Sequence, residues 1–180
     1  MRTPKLELRN VVQSRADASS YLRLPGDAVL IERGRPRWLL LLCPCGCGEE
    51  IPINLDSRAG AAWRLYRNPK LGISVYPSVW RDTGCESHFI IWRNAILLFS
   101  SEDEDFWLSP DRVDEIAALV PLVLEQLPER GLVAYVDVAD ALGEVPWDVL
   151  NACRRLVRSG AVKEGAGKQR GTFGRVQIRK

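Results

Sequence analysis

The chain has 180 residues, 46% apolar and 27% charged, an ordinary globular composition with room for one domain or two small ones. That balance excludes a disordered chain. The longest apolar run, Trp38 to Cys43, is far too short for a membrane-spanning helix, and nothing after Met1-Arg2-Thr3-Pro4-Lys5 reads as a signal peptide, so a cytoplasmic protein is expected. The net charge of +2 divides unevenly: residues 128–180 carry ten basic and six acidic side chains, and the rest of the chain is −2. The basic end is a candidate surface for a polyanion.

In chain order, residues 1–42 read mainly as strands. Lys5-Leu6-Glu7-Leu8-Arg9 alternates with period two, Ala28-Val29-Leu30-Ile31 follows a Pro25-Gly26-Asp27 turn, and Trp38 to Leu42 runs straight into a group of cysteines. Glu50 to Leu55 alternates as a returning strand, which puts the cysteines at a hairpin tip. Ser57 to Tyr66 suggests a short helix with Ala61, Ala62 and Leu65 inward. Ile73 to Trp80 is a strand, and Phe89 to Trp92 and Ala95 to Phe99 form a hairpin about Arg93-Asn94. The acidic stretch Ser100 to Asp105 reads as a linker. From Ser109, an N-cap before Pro110, the period becomes helical, with Pro121 expected to kink or split the helix. A short helix around Val136 to Leu142 ends at Gly143, and another from Pro146 to Arg158 ends at Gly160. Ala161 to Glu164 and Arg175 to Ile178 read as two closing strands. The six tryptophans sit in apolar contexts and are assigned mostly to the core.

Chemistry concentrates in two segments. Cys43-Pro44-Cys45-Gly46-Cys47-Gly48 and Gly84-Cys85-Glu86-Ser87-His88 hold four of the five cysteines and the single histidine. In a reducing compartment such clustering points to metal or catalysis rather than to disulfides. Two short clips far apart in sequence, closing on one ion, are the usual design of a structural zinc site. The favoured ligand set is Cys43, Cys45, Cys85 and His88, with Cys47 able to replace Cys43 or Cys45. Two other readings stand beside zinc. One is a thiol nucleophile, Cys47 or Cys85, paired with His88; the other is an iron–sulfur cluster. No Ser-His-Asp arrangement is apparent beyond His88 itself.

The layout of the two clips resembles the Rieske iron–sulfur domain, with Cys45 standing where that family has a histidine. This implies a zinc-bearing relative with a Rieske- or rubredoxin-like fold. Cys43 to Gly48 and Gly84 to Phe89 also resemble a family of small bacterial proteins carrying Cys-Pro-Cys-Gly-Cys-Gly and Gly-Cys-x-Ser-His-Phe, over roughly residues 25–100. Its members are often encoded beside ubiquitin-like conjugation genes. The resemblance implies an accessory role in such a pathway and supplies no activity.

In the helix from Trp147, positions Leu150, Cys153, Leu156 and Val157 fall on one face, and Asp148, Asn151, Arg155 and Arg158 on the other. Lys168 and Arg170 lie in the Gly165 to Gly174 loop. Val149-Leu150-x-x-Cys153-x-x-Leu156-x-x-x-Gly160-Ala161-Val162 resembles winged helix-turn-helix regulators. That implies Asn151, Arg155 and Arg158 in a DNA groove and Lys168 and Arg170 on phosphates. Cys153 is expected in the core. The sequence thus predicts an α+β protein, with a β-rich zinc-binding domain over 1–105 and a winged-helix domain over 106–180. Its favoured function is non-enzymatic DNA binding, and the alternative is an adaptor in a ubiquitin-like pathway.

Overall fold

The computed structural model describes residues 4–98 and 110–176. The chain is mixed α+β and divides into two compact units, Met1–Asp103 and Glu104–Lys180.

The first unit is built from two four-stranded sheets. One has the order β1 (Glu7–Val12), β2 (Asp27–Glu32), β3 (Pro36–Leu42) and β4 (Glu50–Asn54). The other has the order β5 (Arg64–Asn68), β6 (Gly72–Trp80), β7 (His88–Trp92) and β8 (Ala95–Leu98). Alternation supplies the shared core. Leu30, Leu39, Leu41, Ile51 and Ile53 from the first sheet meet Val75, Val79, Phe89, Ile91 and Ile96 from the second, all of them buried. β2 is apolar without alternation because its other face is covered as well. Val29, Ile31 and Leu40 pack there with Ala18 of the short helix α1 (Arg15–Ala18). The intervening α1 also lets β1 pair with β2 in parallel, a crossover that periodicity alone does not reveal.

One expected helix and one expected core position fail in this unit. Ser57 to Tyr66 is not a helix. The Asp56 carboxylate accepts from Arg58 N for a single 3₁₀ turn, Gly60 then takes φ +125°, and the chain runs extended into β5. Asp56 is buried and gathers Arg35, Arg37 and Arg58, which fixes this corner. Trp80 is not core: 71% of it is exposed, because position 80 points away from the face that carries Val79.

The second unit contains α2 (Pro110–Gln126), β9 (Val133–Ala134), α3 (Tyr135–Leu142), α4 (Pro146–Arg158), β10 (Val162–Glu164) and β11 (Thr172–Arg175). The strands order as β10-β11-β9. Its core joins Val123, Leu127, Ala139, Val149, Ala152, Cys153 and Phe173. α2 runs through Pro121 as one helix and is not split. Gly143 closes α3 with φ +66°, in the left-handed region that favours glycine. The expected N-cap Ser109, the acidic stretch Ser100 to Asp105, Trp107 and the end of the last strand at 177–178 lie outside the described residues.

Candidate metal centre and serine–histidine pair

β3 and β4 form the expected hairpin, and its loop carries the first three cysteines. Cys43 N donates to Glu49 O at 2.8 Å and Gly46 N to Cys43 O at 3.2 Å, with Gly46 and Gly48 at positive φ. The second clip is the turn between β6 and β7, closed by Arg81 N donating to Ser87 O at 3.1 Å. An Arg81–Glu49 ion pair of 2.6 Å ties the two loops together. At Gly84 (φ +70°), an added Cβ would stand against the Glu49 carboxylate.

These loops bring Cys43, Cys45, Cys47 and Cys85 together, with all four Sγ atoms within 4.8 Å of one another. Cys43 Sγ lies 3.2 Å from Cys45 Sγ and 3.6 Å from Cys85 Sγ. A tetrahedral ion with metal–sulfur bonds of about 2.3 Å needs sulfurs about 3.8 Å apart, so this donor set suits zinc and, by its all-thiol chemistry, other soft metals. The Ser87 hydroxyl lies 3.2 Å from Cys85 Sγ and 3.5 Å from Cys43 Sγ. Hydrogen bonds from the Ser87 hydroxyl and backbone N–H lower Cys85 to about 6, whereas burial pushes the Cys43 thiol up.

His88 is not in the thiol group. It follows Ser87 into β7, where alternation turns its side chain the other way, and its Nε2 lies 3.0 Å from Ser78 Oγ. The favoured set of Cys43, Cys45, Cys85 and His88 is therefore not the one that groups; Cys47, the expected substitute for Cys43 or Cys45, lies with the other three thiols. Ser78 reaches that position through a bulge. Between the pairs Val75–Ile91 and Val79–Phe89, β6 advances four residues while β7 advances two. Such bulges re-aim side chains. Trp80 pairs with His88 across the strands, their rings 5.9 Å apart and tilted 37°. Trp63 Nε1 donates to Ser78 O at 3.2 Å. A hydroxyl on an imidazole nitrogen can pass its proton to the ring and become a nucleophile.

Sequence reasoning missed Ser78 because it lies ten residues before His88 in no recognisable motif. The one available signal was Pro77-Ser78 interrupting the alternation of β6.

In the second unit, Asn151, Arg154, Arg155 and Arg158 of α4 line an open groove with Val113 and Ile116 of α2. Arg155 Nη1 donates to Val113 O at 3.1 Å. Asp148, expected on the solvent face, is buried, and Leu150, expected inward, is half-buried and also lines the groove. The apolar face is centred on Val149, Ala152, Cys153 and Leu156, about a sixth of a turn from its expected position. Lys168 and Arg170 are exposed in the loop between β10 and β11. Cys153 is buried, and burial pushes its thiol up to about 12, that of an inert core residue.

Residues 14–99, just under half of the chain, match a family model described as "Bacterial ubiquitination-like system serine protease (BubE)". No curated protein and no solved structure matches. The match associates the chain with ubiquitin-like conjugation systems and lends no support to duplex DNA as a partner. Among the described residues no helix is long and apolar enough to cross a membrane.

Proposed function

We propose that the chain is a peptidase component of a bacterial ubiquitination-like system, with Ser78 as nucleophile and His88 as its general base. The observation that carries this is the 3.0 Å contact between Ser78 Oγ and His88 Nε2 inside the segment that matches a serine-protease family. In the reaction, Nε2 accepts the hydroxyl proton as Oγ bonds to the substrate's carbonyl carbon. The tetrahedral adduct collapses, its C–N bond breaks, and the imidazolium returns the proton to the leaving amine. A water, deprotonated by the same nitrogen, then cleaves the acyl ester and restores Ser78. Ser78 presents its hydroxyl from a bulge whose carbonyl is held by Trp63.

Cys43, Cys45, Cys47 and Cys85 are the residues that would hold a zinc ion, which would cross-link the two loops flanking the pair. Ser87 bonds these sulfurs and adjoins His88, so it links the thiol site to the base.

A fluorophosphonate probe tests the reading. The full chain should be labelled at Ser78. Ser78→Ala should abolish labelling and lower any peptidase activity at least about 10³-fold. Labelling that persists in Ser78→Ala, or is lost only with Cys47→Ser or Cys85→Ser while metal is retained, would assign the nucleophile elsewhere.

For the second unit, the order α2–β9–α3–α4–β10–β11 supports a winged helix, and the apolar–basic groove beside α4 supports a protein-docking role over DNA. Arg155 is already committed to α2, and an apolar lining does nothing for phosphate. Duplex binding by the full chain should be weak. A salt dependence with a slope steeper than about −4 in log K against log salt would restore DNA as the partner.

A further inference from the structure

We infer that the open edge of β6 at Trp80, beside Ser78, is the substrate cleft, and that the substrate is an extended polypeptide segment lying there as an added strand. This rests on the peptidase reading of Ser78 and His88 and goes beyond it by naming what the site accepts.

The argument starts from strand lengths. β5 pairs with β6 only as far as Arg64 opposite Tyr76, whereas β7 continues to pair at Val79 and Trp80. The last residues of β6 therefore have a neighbouring strand on one side only among the described residues. The direction of their backbone groups follows from the ladder. Arg81 N donates to Ser87 O, so residues 81 and 79 aim their amides and carbonyls at β7, and residues 78 and 80 aim theirs the other way. The Ser78 carbonyl does point outward, since Trp63 Nε1 reaches it from that side. The N–H and C=O of Trp80 are left as a donor and acceptor pair of the kind an extended peptide takes when it adds to a sheet edge.

The side chains agree. Ser78, Trp80 and His88 share the outer face of the sheet, opposite buried Val79 and Phe89. A chain hydrogen-bonded to Trp80 would pass beside Ser78, whose hydroxyl stands with the imidazole on the outer face. The Trp80 ring, 71% exposed beside the imidazole, is a surface for one large apolar side chain of that segment. A folded helix or a small polar molecule uses neither the edge nor the ring. A flexible tail, or an unfolded loop with an aromatic or aliphatic residue near its scissile bond, uses both.

The test is cleavage of a mixed library of random dodecapeptides by the full chain, read by mass spectrometry, with fluorophosphonate labelling run alongside. Labelling at Ser78 with cleavage sites enriched for large apolar residues at one fixed subsite is the expected result. Trp80→Ala should flatten that enrichment at least about fivefold, and Trp80→Phe should keep it. For the best-cleaved peptide, single backbone N-methyl groups should lower kcat/KM at alternate positions only, about tenfold or more, because only alternate residues face a strand partner. Ser78 labelling with no cleavage, with no fixed subsite, or with losses on N-methylation that do not alternate would overturn the edge proposal and leave the nucleophile standing. Absence of labelling in the wild-type chain would remove both.

Discussion

Single residues decide the chemistry of the first unit. His88 is one position away from Ser87, yet the two side chains serve different sites on opposite sides of β7: Ser87 on the sulfurs of Cys43 and Cys85, His88 on Ser78. Asp27 shows how a buried carboxylate is retained. Burial raises its pKa, but the N–H groups of Leu24 and Arg23 and the Arg9 guanidinium, 2.6 Å away, outweigh that and hold it below the ordinary 3.8. A carboxyl lowered on folding contributes stability that is fully present above the unfolded value and is lost as pH falls through the folded one. The first unit should therefore lose stability below about pH 4. Asp27→Asn should cost about 1–3 kcal/mol at neutral pH and flatten that acid limb, as measured by urea unfolding across pH. An unchanged acid limb in the variant would show that other carboxylates set it.

At the scale of elements, the turn between β7 and β8 fixes the second sheet. Arg93 and Asn94 both take positive φ, 49° and 64°, the geometry of a two-residue hairpin turn whose twist matches its strands. Asn94 does more than turn the chain. Its Oδ1 accepts from Ile73 N and its own N–H donates to Ile73 O, both at 2.8 Å, and its carbonyl accepts from Leu6 N at 2.7 Å. One residue thus ties β8, the start of β6 and the segment before β1. Asn94→Ala removes the acceptor for Ile73 N–H and places a β-carbon in the left-handed region. It should cost about 2–4 kcal/mol in a thermal or denaturant melt. Asn94→Gly, which removes the same acceptor but accepts positive φ, should cost about 1 kcal/mol less. Equal losses in the two variants would mean that conformation contributes nothing there.

At the scale of the whole molecule, the thiol cluster and the serine–histidine pair sit at the ends of strands from different sheets. The β3–β4 hairpin brings three sulfurs, the β6–β7 turn brings the fourth, and the strands of that turn carry Ser78 and His88. A metal at the cluster would therefore cross-link the two sheets through their loops. The purified chain should hold about one zinc. Binding should release protons, since burial raises the Cys43 and Cys45 thiols above the ordinary value and a metal takes them as thiolates. Removing the metal with a chelator should lower the melting temperature of the first unit and reduce fluorophosphonate labelling at Ser78, because Ser87, which bonds two of the sulfurs, immediately precedes His88. Two irons with labile sulfide would replace zinc with a cluster. Labelling and melting unchanged by the chelator would separate the cysteines from the fold and from the pair.

Much of this protein was legible from its residues. Period-two alternation marked the start of β1 and β4, apolar runs bounded by turn residues marked β2, β3, β7 and β8, and proline and glycine bounded α4 at Pro146 and Gly160. Those signals are local and follow from backbone geometry alone. The convergence of the two cysteine segments was legible too, because thiols at such spacing have few other uses, although the favoured set of Cys43, Cys45, Cys85 and His88 is not the one that groups. What the sequence did not determine depends on neighbours far along the chain. Ser57 to Tyr66 is strand and turn because β6 offers a partner and Gly60 breaks the helix. Asp148 is buried because α4 is rotated to put Val149 and Ala152 inward. His88 stands outside the thiol group because of strand parity, and Ser78 lies beside it because a bulge inserted two residues opposite β7. Register is a property of the paired strands, and only the tertiary structure sets the single histidine beside a hydroxyl and apart from the thiols.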